Sequence, residues 1–345
     1  MTHGGRFHAL TVSRIVPETA DAVSIVFDIP GDLADRYAYR SGQFVTLRVV
    51  VDGVPHLRSY SMSSAPGVDA ELQVTVKRVA DGPVSSWLND RLRPGDQLEV
   101  SVPAGAFLAA EGHDVVAFAA GSGITPILSI VKSTLHETQR SVRLLYANQD
   151  RDSVIFAAVL DQLVAQFPDR LTVQHHRDDE SGFVDDVTLA TFLASDHEGH
   201  FYICGPSGFM DVVKAGLERT GVGPARIHLE RFAAAPLQVA TPPPASAADD
   251  IDEAAPCLTI TLGSETKTVK QRETLTILES ARWNGIPAPS SCETGHCATC
   301  MAQVIEGEVS MSVNDVLTDD EVDAGWVLTC QARCVSPVVR VVYET

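Results

Sequence analysis

The chain has 345 residues, enough for two or three domains, and 45% of them are apolar. A net charge of −19 argues against nucleic acid or an anionic membrane as partner, because both need clustered Lys and Arg. No signal-like apolar stretch precedes Leu10, and no uncharged apolar run reaches the ~18 residues a spanning helix needs, so a soluble cytoplasmic protein is expected.

Ala22–Ile29, Gln43–Val51, Leu72–Val79 and Gln97–Val102 are short runs rich in β-branched residues, punctuated by Gly, Pro and Asp. They predict strands of an antiparallel barrel or sandwich. One helix is expected around Ser85–Arg91. Arg58-Ser59-Tyr60-Ser61 ends a strand, and Gly82-Pro83-Val84-Ser85 leads into the helix.

From His113 the pattern becomes strand–helix alternation, which means a parallel sheet covered on both faces. Val115–Ala120, Val142–Tyr146, Leu171–His175 and Phe201–Cys204 are the expected strands. Helices are expected up to Glu137 and over Ile155–Phe167. Gly121-Ser122-Gly123-Ile124-Thr125-Pro126 joins the first strand to its helix, a place where glycines admit a phosphate backbone and a helix N-terminus attracts anions. His175 and His176 are adjacent on a strand and point to opposite sides, which argues against a shared metal.

Residues 233–256 are rich in Ala and Pro and read as a linker. Beyond it, Leu258–Leu262 and Lys267–Lys270 predict a hairpin, Leu275–Asn284 a helix, and Asp319-Asp320-Glu321 a solvated helix start. Cys292-x4-Cys297-x2-Cys300, with Cys330 after 29 intervening residues, has the spacing of a plant-type [2Fe–2S] site. Gly295 eases the tight loop. The alternative is structural zinc, which favours paired C-x2–4-C units instead of three cysteines and one. Cys334 reads as a spare thiol, and His296 as solvent-facing.

These motifs carry a family resemblance. PSSCETGHCATC with VNDVLTDDEVDAGWVLTCQAR resembles the ferredoxin domain of oxygenase reductase components, which implies a β-grasp fold. Arg58-x-Tyr60-Ser61 and Gly121-x-Gly123-Ile124-Thr125-Pro126 resemble signatures of the ferredoxin–NADP reductase superfamily. The resemblance implies a multidomain chain. Residues 1–110 would be an antiparallel β-barrel FAD domain and 111–232 an α/β parallel-sheet NAD(P) domain. The linker 233–256 and a β-grasp [2Fe–2S] ferredoxin domain over 257–345 would follow.

It also implies roles. Arg58 would pair with the flavin pyrophosphate, Tyr60 would cover the isoalloxazine, and the Ser61 hydroxyl would reach N5. Gly82 and Ser85 would make a second phosphate contact, although Asp81 stands where relatives often have a further glycine. Lys77 joins this cofactor-binding set. Gly121, Gly123, Thr125 and Pro126 would hold the nicotinamide dinucleotide together with Gly205 and Pro206. Cys204 and Glu230 would flank the nicotinamide as catalytic groups, and Phe232 would cover the flavin. Cys292, Cys297, Cys300 and Cys330 would bind the cluster. Gln149 replaces an Arg that would pair a 2′-phosphate, and Asp150 would repel one, so NADH is favoured over NADPH.

The implied activity is electron transfer from NAD(P)H through FAD and [2Fe–2S] to a terminal oxygenase of Rieske or non-haem iron type. The wording of the motifs lies nearest 3-ketosteroid 9α-hydroxylase reductases, with phenylacetyl-CoA epoxidase and other ring-hydroxylating systems as alternatives. Two other readings are a free-standing NAD(P)H oxidase or diaphorase, and a redox-sensing or interaction module.

Overall fold

The computed structural model describes residues 6–193, 199–232 and 256–343, except 264, 272, 273, 291, 292, 294, 296, 297 and 315. The predicted linker, Cys292, Cys297 and His296 therefore lie outside the described residues, apart from Pro256. The chain divides into two compact units, Met1–Asp52 with Tyr60–Phe232, and Gly53–Ser59 with Ala233–Thr345.

β1 (Phe7–Thr19), β2 (Ala22–Asp28), β3 (Phe44–Val51), β4 (Val54–Ser61, its residues up to Ser59 falling to the smaller unit), β5 (Leu72–Lys77) and β6 (Gln97–Ser101) form one sheet in the order β4-β3-β6-β1-β2-β5. The sheet curls: a bridge between Met62, just past β4, and Val74 of β5 brings its two ends together. Alternate residues point inward, so Leu10, Ile25, Leu47, Val74 and Val100 meet in the barrel core with almost no exposure. β1 is longer than any predicted strand. Its register shifts at Val12/Arg14 and Pro17/Thr19, and each bulge swaps the inward face. The helix α1 (Pro83–Asp90) closes one end, with Leu88 in the core.

The second half of the larger unit is β7 (Val115–Ala120), α2 (Ile124–Glu137), β8 (Val142–Asn148), α3 (Ala157–Gln166), β9 (Leu171–Arg177), α4 (Asp178–Ser181), α5 (Asp186–Leu193), β10 (His200–Cys204), α6 (Ser207–Arg219) and β11 (Ile227–Glu230). The sheet is parallel, in the order β11-β10-β7-β8-β9. β7 is buried throughout because both its faces are covered. Val115, Ala117 and Ala119 pack under α2 and α3, and Val116, Phe118 and Ala120 under α5 and α6. Each fully buried large side chain contributes about 2 kcal/mol of transfer free energy. The order reverses between β7 and β10, so a crevice opens at their C-terminal ends, where doubly wound sheets take ligands. His176 is buried and shares a 2.7 Å hydrogen bond with the Gly182 carbonyl, while His175 faces outward.

In the smaller unit, β12 (Cys257–Leu262), β13 (Glu265–Lys270), α7 (Ile277–Trp283), β14 (Met301–Glu306), β15 (Val309–Met311), α8 (Asp319–Asp323), β16 (Trp326–Leu328), β17 (Ala332–Cys334) and β18 (Val338–Tyr343) follow one another. A five-stranded sheet, β13-β12-β18-β14-β16, pairs β12 with β18 in parallel and otherwise runs antiparallel. α7 lays Ile277, Leu278 and Ala281 on Leu258, Ile260 and Val341. Both helices start at a capping box, Thr276 with Glu279 and Thr318 with Glu321.

Candidate functional site

The site is built at three places along the chain. β4 carries Arg58, Tyr60 and Ser61. Tyr60 leans on the barrel core, and Ser61 is buried. The Arg58 guanidinium donates to the Leu57 carbonyl at 2.8 Å. Gly82 is the N-cap of α1, and Pro83 takes the first helical position, where its missing N–H costs nothing. The first-turn N–H groups of such a helix have no intrahelical partner and suit a phosphate. The Ser85 hydroxyl is otherwise engaged: it accepts from the Val79 N–H at 3.1 Å and donates its one proton to the Gly82 carbonyl at 3.1 Å. Asp81 keeps a left-handed φ of 57°, so the turn retains the conformation glycine would give it.

Across the crevice, the Gly121–Gly123 turn links β7 to α2. Gly121 has φ +52°, and its carbonyl accepts from the Tyr146 hydroxyl at 3.1 Å. Gly123 serves packing. A Cβ there would sit 2.1 Å from the Cys204 carbonyl oxygen, and one on Gly205 would sit 2.9 Å from the Ala120 Cβ. The turns after β7 and β10 are thus pressed backbone to backbone. Thr125 is buried and donates to the Ser122 carbonyl at 3.0 Å. Pro126 lies in the first turn of α2, where no intrahelical N–H is needed. Lys77, at the end of β5, pairs loosely with Asp21 at 3.6 Å. Its Nζ lies 3.9 Å from where a Gly121 Cβ would stand. A cation and a helix N-terminus therefore converge beside one glycine, and that donor set fits a pyrophosphate.

Pro206 caps α6 at the C-terminal end of β10. Cys204 pairs in register with Glu230 of β11. Its thiol is fully buried in the core, and burial, then the Glu230 charge, push its pKa well up. In this arrangement Cys204 is a neutral packing group under the crevice. Phe232 is 36% exposed. Arg231 pairs with Asp211 at 2.9 Å and ties this end to α6.

In the smaller unit Cys300 and Cys330 are both buried. Thr329 holds the Cys300 carbonyl twice, by its N–H at 3.2 Å and its hydroxyl at 2.8 Å, and accepts from the Tyr343 hydroxyl at 2.9 Å. Gln331 donates to the Glu293 carbonyl at 2.9 Å and lies 3.6 Å from the Cys330 Sγ. Between these points Glu293, Gly295 and Ala298 have φ of 56°, 89° and 52°. Non-glycine residues with positive φ are uncommon and cluster at ligand-binding loops. Arg282 pairs with Glu293 at 2.9 Å, and its charge faces Cys300. Two buried thiols, a wrapped loop and a nearby guanidinium fit an anionic iron–sulfur cluster; Cys292 and Cys297 lie outside the described residues. Burial raises the Cys334 thiol to about 12, so it behaves as an apolar group.

A set of buried hydroxyls that no motif marks lies where α2 meets the barrel. Ser129 donates to the Ser64 carbonyl at 2.6 Å, and Lys132 pairs with Asp69 at 2.9 Å. Ser24, Ser63 and Thr75 lie close to this seam. Their signal was a polar residue interrupting an otherwise apolar run, as Ser24 does between Val23 and Ile25.

Comparison with known proteins agrees with this architecture. Residues 10–108 match an oxidoreductase FAD-binding domain, 118–215 an oxidoreductase NAD-binding domain, and 260–335 a 2Fe-2S iron-sulfur cluster binding domain. The ferredoxin reductase component of 3-ketosteroid-9-alpha-monooxygenase from Rhodococcus rhodochrous is 40% identical over 98% of this chain and 97% of its own. A component of 1,2-phenylacetyl-CoA epoxidase from Escherichia coli K12 is 35% identical over 94% of each chain. Phthalate dioxygenase reductase shares the fold, with a TM-score of 0.60, 24% identity and 98% of both chains covered. The chain therefore belongs to the family of oxidoreductases with FAD-binding, NAD-binding and 2Fe-2S domains that includes these oxygenase reductase components.

Proposed function

We propose that this oxidoreductase is the reductase component of a multicomponent oxygenase, fed by NADH and delivering single electrons to a terminal oxygenase of Rieske or non-haem iron type. A 3-ketosteroid 9α-monooxygenase is the preferred partner. The observation that carries the reading is the 40% identity running through all three segments, 98% of this chain and 97% of the relative. Phenylacetyl-CoA epoxidase is the nearest alternative.

Bound FAD converts a two-electron hydride into single electrons, which a [2Fe–2S] cluster accepts one at a time. The protein supplies position and charge. By its motif Arg58 would pair with the flavin pyrophosphate; the first turn of α1 after Gly82, stiffened from within by Ser85, suits a phosphate. Tyr60 would cover the flavin ring and Ser61 would reach its N5. Lys77, Gly121 and the start of α2 with Gly123, Thr125 and Pro126 hold the dinucleotide phosphates. Gly205 and Pro206 would shape the opposite wall, Cys204 the floor and Glu230 the local charge, and Phe232 would cover the flavin. Cys292, Cys297, Cys300 and Cys330 are the cluster ligands. Gln149 and Asp150 disfavour a 2′-phosphate.

The test is an anaerobic titration followed by pairing. NADH should bleach flavin and cluster bands with a kcat/KM well above that of NADPH, and the reduced protein should drive 3-ketosteroid 9α-oxygenase turnover. Rapid oxygen consumption by the isolated protein, with no oxygenase turnover, would sink the reading in favour of a free-standing oxidase.

A further inference from the structure

A hydride carries a proton along with its electron pair. When the pair leaves as single electrons through an iron–sulfur cluster, the balance NADH → NAD⁺ + 2e⁻ + H⁺ leaves one proton behind in the flavin site. That proton needs a way out to solvent.

The larger unit contains a continuous line of hydrogen bonds at that place. Ser24 Oγ donates to Glu18 Oε1 at 2.6 Å. Ser24 Oγ lies 2.8 Å from Thr75 Oγ1, and Thr75 Oγ1 lies 2.8 Å from Ser63 Oγ. Gln73 Nε2 donates to Ser63 Oγ at 3.0 Å. Ser24 and Ser63 are 0% exposed and Thr75 is 4% exposed. Each hydroxyl has one proton, which fixes the direction of the line. Ser24 gives its proton to Glu18, so Thr75 must give to Ser24, and Ser63 to Thr75. The Ser24 and Thr75 protons thus point toward the carboxylate, and the Ser63 proton does so when it leaves its longer 3.5 Å bond to the Gln73 carbonyl.

Both ends are placed for transfer. Met62 points into the barrel core, so Ser61 and Ser63 on either side of it share the opposite face, and Ser63 sits beside the R-x-Y-S segment. Thr75 and Lys77 likewise share one face of β5, and Lys77 reaches toward Gly121. At the far end Glu18 is partly exposed, between exposed Pro17 and Ala20.

We propose that Ser63, Thr75, Ser24 and Glu18 form a proton-export relay from the flavin site to solvent. The proposal rests on the oxidoreductase reading above. A proton taken up at Ser63 Oγ displaces the Ser63 proton to Thr75, the Thr75 proton to Ser24 and the Ser24 proton to Glu18. One O–H bond forms for each that breaks, and the carboxylate gains the final proton before releasing it to water. The electrons leave separately to the one-electron acceptor. Burial raises the Glu18 pKa despite the Ser24 hydrogen bond and the Lys132 charge, which suits a group that must hold a proton briefly. Gln73 keeps Ser63 aligned between transfers.

The decisive variants are Glu18→Gln and Thr75→Val, with Thr75→Ser as the conservative control. Steady-state reduction of ferricyanide by NADH should fall at least tenfold in E18Q and T75V, while the anaerobic hydride step falls less than twofold. A pH-indicator dye in stopped flow should show proton release lagging flavin reoxidation in both, and T75S should restore it. Infrared difference spectra should show a transient protonated-carboxyl band in the wild type that E18Q lacks. The relay is overturned if E18Q and T75V release protons at the wild-type rate. It is also overturned if their hydride step and melting temperature fall as much as turnover does, since the network would then be structural. If NADH fails to reduce the wild-type flavin at all, it is the underlying functional reading that fails.

Discussion

The turn after β7 and the loop before β14 both depend on glycine, for different physical reasons. At the first, Gly123 is needed because another backbone lies where its Cβ would be: the Cys204 carbonyl oxygen, 2.1 Å away. Buried strands of the sheet fix both partners, so the crevice is formed by packing alone. At the second, Glu293, Gly295 and Ala298 hold positive φ angles in a loop with little apolar surface of its own. A loop strained in this way persists when something over-determines it, and the proposed metal–thiolate bonds would do so here. The nucleotide crevice should thus exist without its ligand, while the cluster loop should depend on its iron.

The largest effect that would break this comparison is loss of a proposed cluster ligand. Cys330→Ser, or Cys300→Ser, should remove iron and sulfide from the purified protein and abolish electron delivery beyond the flavin, while NADH still bleaches the flavin. Calorimetry should show the smaller unit melting earlier and the larger unit unchanged. A variant that keeps its cluster spectrum would show that the loop is not ligand-dependent. The next effect lies in the packed turn. Gly123→Ala should destabilise the larger unit by about 3 kcal/mol, because neither backbone can withdraw. Gly121→Ala meets only the flexible end of Lys77 and should cost about 1 kcal/mol, from its left-handed φ. Denaturant unfolding of the flavin-loaded variants measures both, and equal costs would refute the packing account.

How much of this could be read from the sequence follows the same division. The six apolar residues of β7 announced a strand covered on both faces, and Thr276-x-x-Glu279 announces a helix start, because both signals are local. β1 was missed because its bulges break the alternation that marks a strand. Asp81 looked like a departure from the phosphate turn, yet it adopts the required left-handed φ, since Asp tolerates that region better than most residues. The cysteine spacing gave the cluster chemistry outright. The reason for Gly123 was hidden, because Cys204 lies eighty-one positions away. The Glu18 line was hidden for the same reason: its members come from β1, β2, β5 and the stretch after β4, and only the barrel's closure brings them together.

The smallest predicted effect separates the two units by pH. At the N-terminal end of the parallel sheet, opposite the crevice, His200 stacks on His113 with ring centroids 4.5 Å apart. Its Nδ1 lies 2.8 Å from Nε2 of His228, which in turn stacks on Tyr202. Burial, with the neighbouring His113 and Arg226 charges, lowers the His200 pKa from its ordinary 6.5; burial, then His200, lowers that of His228. A group with a lowered folded pKa binds fewer protons in the native state than in the unfolded one, so stability rises with pH. The contribution is present in full above 6.5 and is lost as pH falls through 6.5 toward the folded values. The smaller unit holds His56, whose pKa is lowered by burial and then by the Arg58 charge, and His296, so among the described residues the larger unit carries more groups of this kind. Calorimetry between pH 7 and 5 should therefore lower the transition of the larger unit more than that of the smaller one. His228→Gln should flatten the dependence, and an unchanged slope in that variant would remove the histidine stack as its cause.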